Sequence, residues 1–242
     1  MRLIRYGSPE NDIAHRFYIP LSHFETYAKD MEEYIFKKSL SIYDEENTDE
    51  DEYENEYEDE LEEDEDYREF DNGTMYFLSD RHRYSIQFPN ILRSSLLISV
   101  YAFFENQLTR LCKEIQIKKQ LPVKFKSING KGIERAKTYL SDVVQLNFPS
   151  DSKEWNLISD YQNIRNCFAH SEGIVTKDDN KVMKSVQKLK ALGVNGDDFL
   201  GKSIYLHKEF IFNFIKVINS FWRMIEDQYL EILYPAFYWY RK

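Results

Sequence analysis

The 242-residue sequence has only two cysteines, Cys112 and Cys167, and neither belongs to a C-x-x-C pair or a Cys/His cluster. We therefore expect free thiols rather than a disulfide framework or a zinc site, and no cofactor or metal. No apolar run approaches the roughly 20 residues that cross a bilayer. The N-terminal Met1–Tyr6 lacks the apolar core of a signal peptide. These absences predict a soluble, cytoplasmic protein.

Charge of one sign is concentrated in one place. The segment Asp44–Glu69 holds 18 acidic residues and one basic residue, whereas the remainder holds 31 basic and 24 acidic residues. The formal charge of −10 thus divides into an acidic insert of −17 and a body of +7. A mildly basic body suits a polyanionic partner. The insert itself favours a solvated, disordered or weakly helical segment, because like charges repel. The alternative is an RNA mimic that covers a basic face, or a handle for a basic partner.

Apolar periodicity predicts helices along most of the chain. The predicted spans are 20–43, 90–115, 133–144, 152–168, 182–192 and 208–233, with one short strand at 203–206 that is an arm of a small hairpin. We predict an all-α fold, an antiparallel helical bundle with at most a short β-hairpin. Its divisions are an N-terminal helical segment at 1–43 that packs on the bundle, an acidic low-complexity insert at 44–70 and the main bundle at 71–242.

Local signals predict where these helices begin and end. Pro20 with Ser22, Pro89 with Asn90, and Ser152 are expected to start helices, and Gly173, Gly193 and Pro235 are expected to end them. The clearest buried face is Leu97, Tyr101, Phe104, Leu108, Leu111 and Ile115. The face expected for the last helix is Phe210, Phe214, Val217, Phe221, Met224, Gln228 and Ile232.

The segment Arg165–His170 combines a permanent cation, an amide and a side chain that ordinarily titrates near pH 6.5. Such a set can cut RNA without a metal. His170 would take the proton of the attacking 2′-hydroxyl or supply one to the leaving oxygen, and Arg165 would bind the phosphate oxygens. Asn166 can orient the histidine or donate a hydrogen bond to phosphate. No competing catalytic motif occurs in the sequence.

Helical spacing limits this site. Five residues turn an ideal helix by about 140°, so Arg165 and His170 point in different directions, whereas Asn166 and His170 share a face. Either the helix ends near Ala169 and His170 swings back, or a second subunit completes the site. A two-fold homodimer would supply two histidines and two arginines to one cleft.

The stretch Ile164–Gly173 resembles the I-R-N-x-x-A-H-x-x-G form of HEPN-superfamily ribonucleases, and Ser99–Leu108 is similar to the aromatic-rich helix with an embedded glutamate that often precedes it. The resemblance covers roughly 90–233. It implies a helical bundle that dimerises with its R-x4-H motifs facing, and a metal-independent endoribonuclease of toxin–antitoxin, abortive-infection or antiphage systems. By the resemblance, Arg165 and His170 are catalytic, Asn166 accompanies them and Glu105 supports them. An antitoxin or another defence protein is then an expected partner.

The chain departs from one HEPN subgroup at Glu172, where that subgroup has a tyrosine, so we do not expect that subgroup's tyrosine modification. Other interpretations stay open. An inactive HEPN scaffold would bind RNA, nucleotide or a protein. Arg165 could pair with Asp160 or Glu172 at the surface, and His170 could stabilise the helix C-terminus. The lysines at 177–190 are expected to form a solvated helix face rather than a phosphate site.

Overall fold

The computed structural model describes residues 9–53, 79–176, 179–189, 192–197 and 201–236. The α-helices are α1 (Pro9–Ile13), α2 (Ile19–Tyr53), α3 (Asp80–His82), α4 (Phe88–Lys118), α5 (Gly132–Thr138), α6 (Lys153–Ser171), α7 (Asn180–Leu189) and α8 (Glu209–Leu233). The strands are β1 (Ile174–Val175), β2 (Leu192–Asp197) and β3 (Gly201–Leu206). The predicted all-α fold is confirmed.

Helices α2 and α4 run antiparallel to each other. Along α2 and α4, Phe24 packs on Phe103, with ring centres 5.8 Å apart. Closer to the other end of the same pair, the Arg93 guanidinium donates to both Glu32 carboxylate oxygens, at 2.6 and 2.7 Å. The residue numbers thus rise along one helix as they fall along the other, which is the antiparallel arrangement predicted for the bundle.

Two prolines expected to start helices lie inside continuous helical segments instead. A π-helical segment, Ala14–Tyr18, precedes Pro20, and another, Arg83–Gln87, precedes Pro89. Proline removes a backbone donor and crowds the carbonyl four residues earlier. A wider π-helical turn directly upstream shifts the hydrogen-bond ladder, which accounts for the helix continuing through each proline. The predicted starts at 20 and 90 were therefore wrong.

Aromatic rings from several helices form the core. Phe17 stacks on Trp222 with ring centres 4.1 Å apart, so the N-terminal helical segment packs into the core formed with α4 and α8. The face predicted for the helix at 90–115 is buried at every position. The face predicted for the last helix was partly wrong, because Met224 is 41% exposed while Ile218 and Ile225 are fully buried.

Three further predictions of helix starts and ends were wrong. Ser22 does not cap a helix start, because its hydroxyl donates to the Ile19 carbonyl within helical chain that began at Pro9. The helix expected over 133–144 is α-helical only to Thr138 and then π-helical from Tyr139 to Val143. Gly193 does not end a helix, since α7 stops at Leu189 and Gly193 lies in β2.

A small antiparallel sheet closes one side of the bundle. Its strand order is β1-β3-β2. The predicted strand at 203–206 lies in β3, which forms a hairpin with β2 and pairs on its other edge with the two-residue strand β1. Asn90 in α4 ties this sheet to the bundle, since its side chain bonds the Ile204 carbonyl and the Leu206 amide.

The acidic insert begins inside a helix. Helix α2, described over Ile19–Tyr53, continues past residue 43, so the first part of the insert is helical. The rest of the segment predicted at 44–70 lies outside the described residues. Across the described ranges, no helix combines the length and the apolar character that a membrane crossing needs.

Candidate functional site

The Arg165–His170 motif occupies the last turns of helix α6. Ser152 caps the start of this helix as predicted, because its hydroxyl oxygen accepts a hydrogen bond of 3.1 Å from the Trp155 amide. One face of the helix is buried through Trp155, Ile158, Tyr161, Ile164 and Cys167. This buried face fixes the rotation of α6, and therefore the direction in which each motif side chain leaves it.

Gly173 fixes the position of the helix end. It has φ of +81°, and a Cβ atom placed on it would lie 2.5 Å from Cε1 of Phe168. Its amide donates to the Cys167 carbonyl at 3.3 Å, and its carbonyl accepts from the Ile204 amide at 3.0 Å. The predicted stop at Gly173 thus joins the end of the motif to the central strand of the sheet.

Helix α6 does not end early enough for His170 to turn back towards Arg165. Helix α6 runs through Ser171, and the left-handed residue that terminates it is Glu172, with φ of 53°. Arg165 and His170 are therefore both helical and leave the axis about 140° apart, with about 7.5 Å of rise between them. Of the two routes to convergence, a helix end near Ala169 is excluded.

Arg165 leans inward against helix α4. Its guanidinium carbon lies 5.3 Å from the centre of the Tyr101 ring, within the range of a cation–π interaction. Its Nη1 donates to Asn166 Oδ1 at 3.0 Å, while its Nε is buried without a hydrogen-bond partner in the described structure. A guanidinium has five N–H donors, and among the described residues only Asn166 is seen to accept a hydrogen bond from Arg165.

Two carboxylates lie in the electrostatic neighbourhood of the same tyrosine. Burial raises the pKa of the Tyr101 hydroxyl, the negative charges of Glu105 and Glu134 raise it further, and Arg165 opposes them. The Glu105 carboxylate also faces Gly132 at the start of α5, where an added Cβ would lie 3.2 Å from its Oε2. Arg165 thus lies over the Tyr101 ring, and Glu105 acts electrostatically on the hydroxyl of that ring. The two side chains do not form an ion pair in the part of the chain described.

His170 lies on the exposed part of α6. Its side chain makes no hydrogen bond or ion pair to any other described residue. Asn166 shares its face at i and i+4, but the Asn166 amide oxygen bonds Arg165 rather than His170. Of the four predicted site residues, Arg165, Asn166 and Glu105 thus gather near Tyr101, and His170 remains apart.

The surface ion pair considered for Arg165 is not formed. Asp160 accepts hydrogen bonds or ion pairs from Ser185 at 2.9 Å and from Lys188 at 2.5 Å, both on helix α7. Lys188 is therefore engaged in packing α7 on α6. Lys181 and Lys184 are exposed on the same helix, as predicted for a solvated face. The interpretation of Arg165 as a simple surface arginine is wrong.

The cysteine inside the motif is a structural residue. Cys167 is buried, and its thiol donates to the Ile174 carbonyl at 3.5 Å. Burial raises the pKa of this thiol to about 11, with a smaller contribution from Asp179. A protonated, buried thiol is a poor nucleophile, so the chemistry available here belongs to Arg165, Asn166 and His170.

No protein-family model, curated protein or solved structure matches the chain. Within the described ranges, no group of three or more His, Cys, Asp or Glu side chains is placed to hold a metal ion.

Tyr101 is a neighbour of Arg165 that the sequence did not single out. Tyr101 was predicted only as part of a buried face of α4. Apolar periodicity does not indicate that its ring also contacts Arg165. The pairing crosses from α4 to α6, and a single sequence offers no signal for such a contact. The i and i+4 spacing of Tyr101 and Glu105 is the only local indication that they share a face.

Proposed function

We propose that this protein is a metal-independent endoribonuclease of the HEPN type, with Arg165, Asn166 and His170 as its reacting residues. The observation that carries the proposal is the state of Arg165, a half-buried cation with a buried, unpaired Nε and no carboxylate within ion-pair distance in the described chain. A buried N–H donor without an acceptor is costly. A phosphate oxygen of RNA would supply the missing anion in the geometry that a guanidinium favours.

In the proposed reaction a ribose 2′-hydroxyl attacks the adjacent phosphorus. The new O–P bond forms as the bond to the 5′-oxygen of the next nucleotide breaks, which leaves a 2′,3′-cyclic phosphate and a 5′-hydroxyl. His170 takes the 2′-hydroxyl proton as the base, or returns a proton to the leaving oxygen as the acid. Arg165 offsets the negative charge that accumulates on the phosphorane, and Asn166 holds Arg165 while its amide NH2 remains a donor.

A homodimer is part of this proposal. Within one chain, Arg165 and His170 diverge by about 140° on a continuous helix. The exposed His170 of one subunit can meet the phosphate bound by Arg165 of the other if the two α6 ends face each other across a two-fold axis. Such a cleft holds two arginines and two histidines, which provides both an acid and a base.

The alternative function is a non-catalytic HEPN scaffold that binds RNA, nucleotide or a protein partner. The inward contacts of Arg165 with Asn166 and the Tyr101 ring favour it, because they stabilise the guanidinium without any substrate. The two functions differ in what happens to bound RNA, since a scaffold leaves the RNA intact.

The setting we propose is a toxin–antitoxin or antiphage system, in which an antitoxin or another defence protein controls the activity. The acidic insert is a second candidate contact for a basic partner. Replacing its Asp and Glu side chains beyond Tyr53 with Asn and Gln would leave RNA cleavage unchanged if the insert only recruits a partner, and would raise cleavage if it restrains the enzyme.

The test is cleavage of single-stranded RNA by the purified protein, with His170→Ala as the variant. We expect products with 2′,3′-cyclic phosphate and 5′-hydroxyl ends, no effect of EDTA and loss of cleavage in His170→Ala. Cleavage that persists in the variant, or that disappears on chelation, would refute the proposed mechanism. Intact RNA bound by the parent protein would favour the scaffold.

A further inference from the structure

Three exposed lysines lie on the segment that leads from the end of α4 to α5. Lys124 directly precedes the 3-10 turn Phe125–Ser127, Lys126 lies within that turn, and Lys131 directly precedes α5. We call these three residues the lysine strip. None of their side chains forms an ion pair or hydrogen bond with another described residue.

The segment that carries the strip is fixed in place. Phe125 is buried, packs on Tyr139 with ring centres 5.6 Å apart and donates its amide to Gln116 Oε1 at 2.9 Å. Arg135 donates from Nε and Nη2 to the Gly130 carbonyl, at 2.9 and 2.7 Å. Since Phe125 points inward, its neighbours Lys124 and Lys126 are held on the solvent side.

The strip follows helix α4 towards Arg165. The segment contacts α4 at Gln116, which bonds Phe125, and the α5 helix that follows it contacts α4 at Cys112 (beside Ala136) and Glu105 (beside Gly132). Further along α4, Tyr101 lies under Arg165. On an ideal helix, the four α4 residues 101, 105, 112 and 116 fall within about 60° of each other and span about 22 Å. The lysine strip and the Arg165 guanidinium are therefore arranged along one face.

We propose that the lysine strip binds the phosphate backbone of single-stranded RNA and leads it to Arg165. The inference rests on the proposed function, because it treats Arg165 as the place where the strand is cut. One row of cations on one helix face matches one backbone, whereas a duplex presents two. The strip's own aromatic ring, Phe125, is buried. Binding by the strip is therefore electrostatic and independent of base sequence.

Two carboxylates near the strip should weaken RNA binding, which provides a second test of the proposal. Glu105 is half-buried and faces Gly132, the residue after Lys131, whereas Glu134 is exposed. Both carboxylates act electrostatically on the Tyr101 hydroxyl, on which Arg165 also acts. The Glu134 carboxylate lies 4.0 Å from Lys137 Nζ. A carboxylate beside a bound phosphate repels it, so removing the Glu134 charge strengthens RNA binding, whereas removing strip charges weakens it.

The experiment measures RNA binding in the His170→Ala background, where the proposed reaction is blocked. The probe is a fluorescent single-stranded RNA of about 12 nucleotides, titrated between about 50 and 200 mM salt. The triple variant Lys124→Gln, Lys126→Gln and Lys131→Gln is compared with Lys29→Gln, Lys37→Gln and Lys216→Gln. The comparison set removes three charges from exposed positions on α2 and α8.

We expect the strip variant to bind RNA about tenfold more weakly at 50 mM salt. The slope of log Kd against log salt should fall by about 2, because each of three lost phosphate contacts to a single strand contributes about 0.7 to that slope. The comparison set should bind like the parent, and Glu134→Gln should bind more tightly. Equal binding by the strip variant, equal weakening in the comparison set, or tighter binding of polyglutamate than of RNA would overturn the inference.

Cleavage separates this inference from the proposed function. If RNA binds through the strip but the protein with His170 intact does not cut it, the strip is established and the ribonuclease is refuted. If RNA is cut with an unchanged KM in the strip variant, the ribonuclease stands and the strip is refuted.

Discussion

Arg165 lies with its guanidinium carbon 5.3 Å from the centre of the Tyr101 ring, so the arginine of the motif is positioned by a residue 64 places earlier in the chain. A cation–π contact of this kind contributes roughly 0.5–2 kcal/mol. The ring on α4 therefore helps to fix where a phosphate would meet the α6 motif. This relationship links the packing of the bundle to the proposed chemistry.

Replacing the ring should reduce RNA cleavage without removing Arg165. We expect Tyr101→Leu to lower kcat by about tenfold, which corresponds to about 1.4 kcal/mol of lost positioning. Tyr101→Phe keeps the ring and should retain most of the activity. The measurement is single-turnover cleavage well below the midpoint of unfolding of each variant. Equal activity in Tyr101→Leu and the parent would show that the ring does not position Arg165.

Gly173 should be among the least replaceable residues near the motif. Gly173→Ala forces a left-handed backbone on alanine and places its Cβ 2.5 Å from Phe168. We expect a loss of about 2–4 kcal/mol in the free energy of unfolding. The matched control is Gly130→Ala, which has φ of +100° but nothing closer than 3.6 Å to its Cβ, and should lose only about 1 kcal/mol. Urea denaturation measures both, and equal losses would contradict the steric account.

The N-terminal helical segment should be required for the stability of the whole bundle. Phe17 is 1% exposed and stacks on Trp222, whereas Tyr27 on α2 is 51% exposed. We expect Phe17→Ala to cost about 3–5 kcal/mol and Tyr27→Ala less than about 0.5 kcal/mol. Both variants should unfold in a single transition. A separate early transition in Phe17→Ala would mean that residues 9–53 form an independent unit.

The two thiols should be slow to react and should make the fold sensitive to alkali. Burial raises the pKa of Cys167 to about 11 and that of Cys112 to about 12, whereas an unfolded cysteine titrates near 8.5. The protonated thiols therefore favour the folded state below about pH 8.5, and this contribution is lost as pH rises towards the folded values.

We accordingly expect iodoacetamide at pH 8.5 to alkylate urea-unfolded protein much faster than native protein. The Cys167→Ala variant should lose less stability than the parent between pH 9 and 11. Rapid alkylation of native Cys167, detected by mass spectrometry, would show that the thiol is exposed and ionised, contrary to its burial beside Ile174.

The fold class could be predicted from sequence because it follows from local periodicity. The buried face from Leu97 to Ile115 and the Ser152 cap depend on residues within a few turns of each other, and both are present in the structure. The continuation of the helices through Pro20 and Pro89 could not be predicted. A π-helical segment has no recognised sequence signal here, and without one a proline in a helix normally marks its beginning.

The candidate site was predictable in part for the same reason. The positions of Arg165, Asn166 and His170 on one helix follow from the motif, and so does their divergence. The inward direction of Arg165 does not, because it depends on the Tyr101 ring across the α4–α6 contact. The stop at Gly173 was predicted, and α6 accordingly runs through Ser171 rather than stopping near Ala169.

The most direct test of the account is subunit complementation between Arg165→Ala and His170→Ala. Each variant alone should be inactive on RNA. When the two are unfolded together and refolded as mixed dimers, each mixed cleft regains one intact Arg165 and one intact His170 from different subunits. The account predicts cleavage well above the sum of the separate variants, with 2′,3′-cyclic phosphate ends. No recovery in mixed dimers, or full activity in either variant alone, would contradict it.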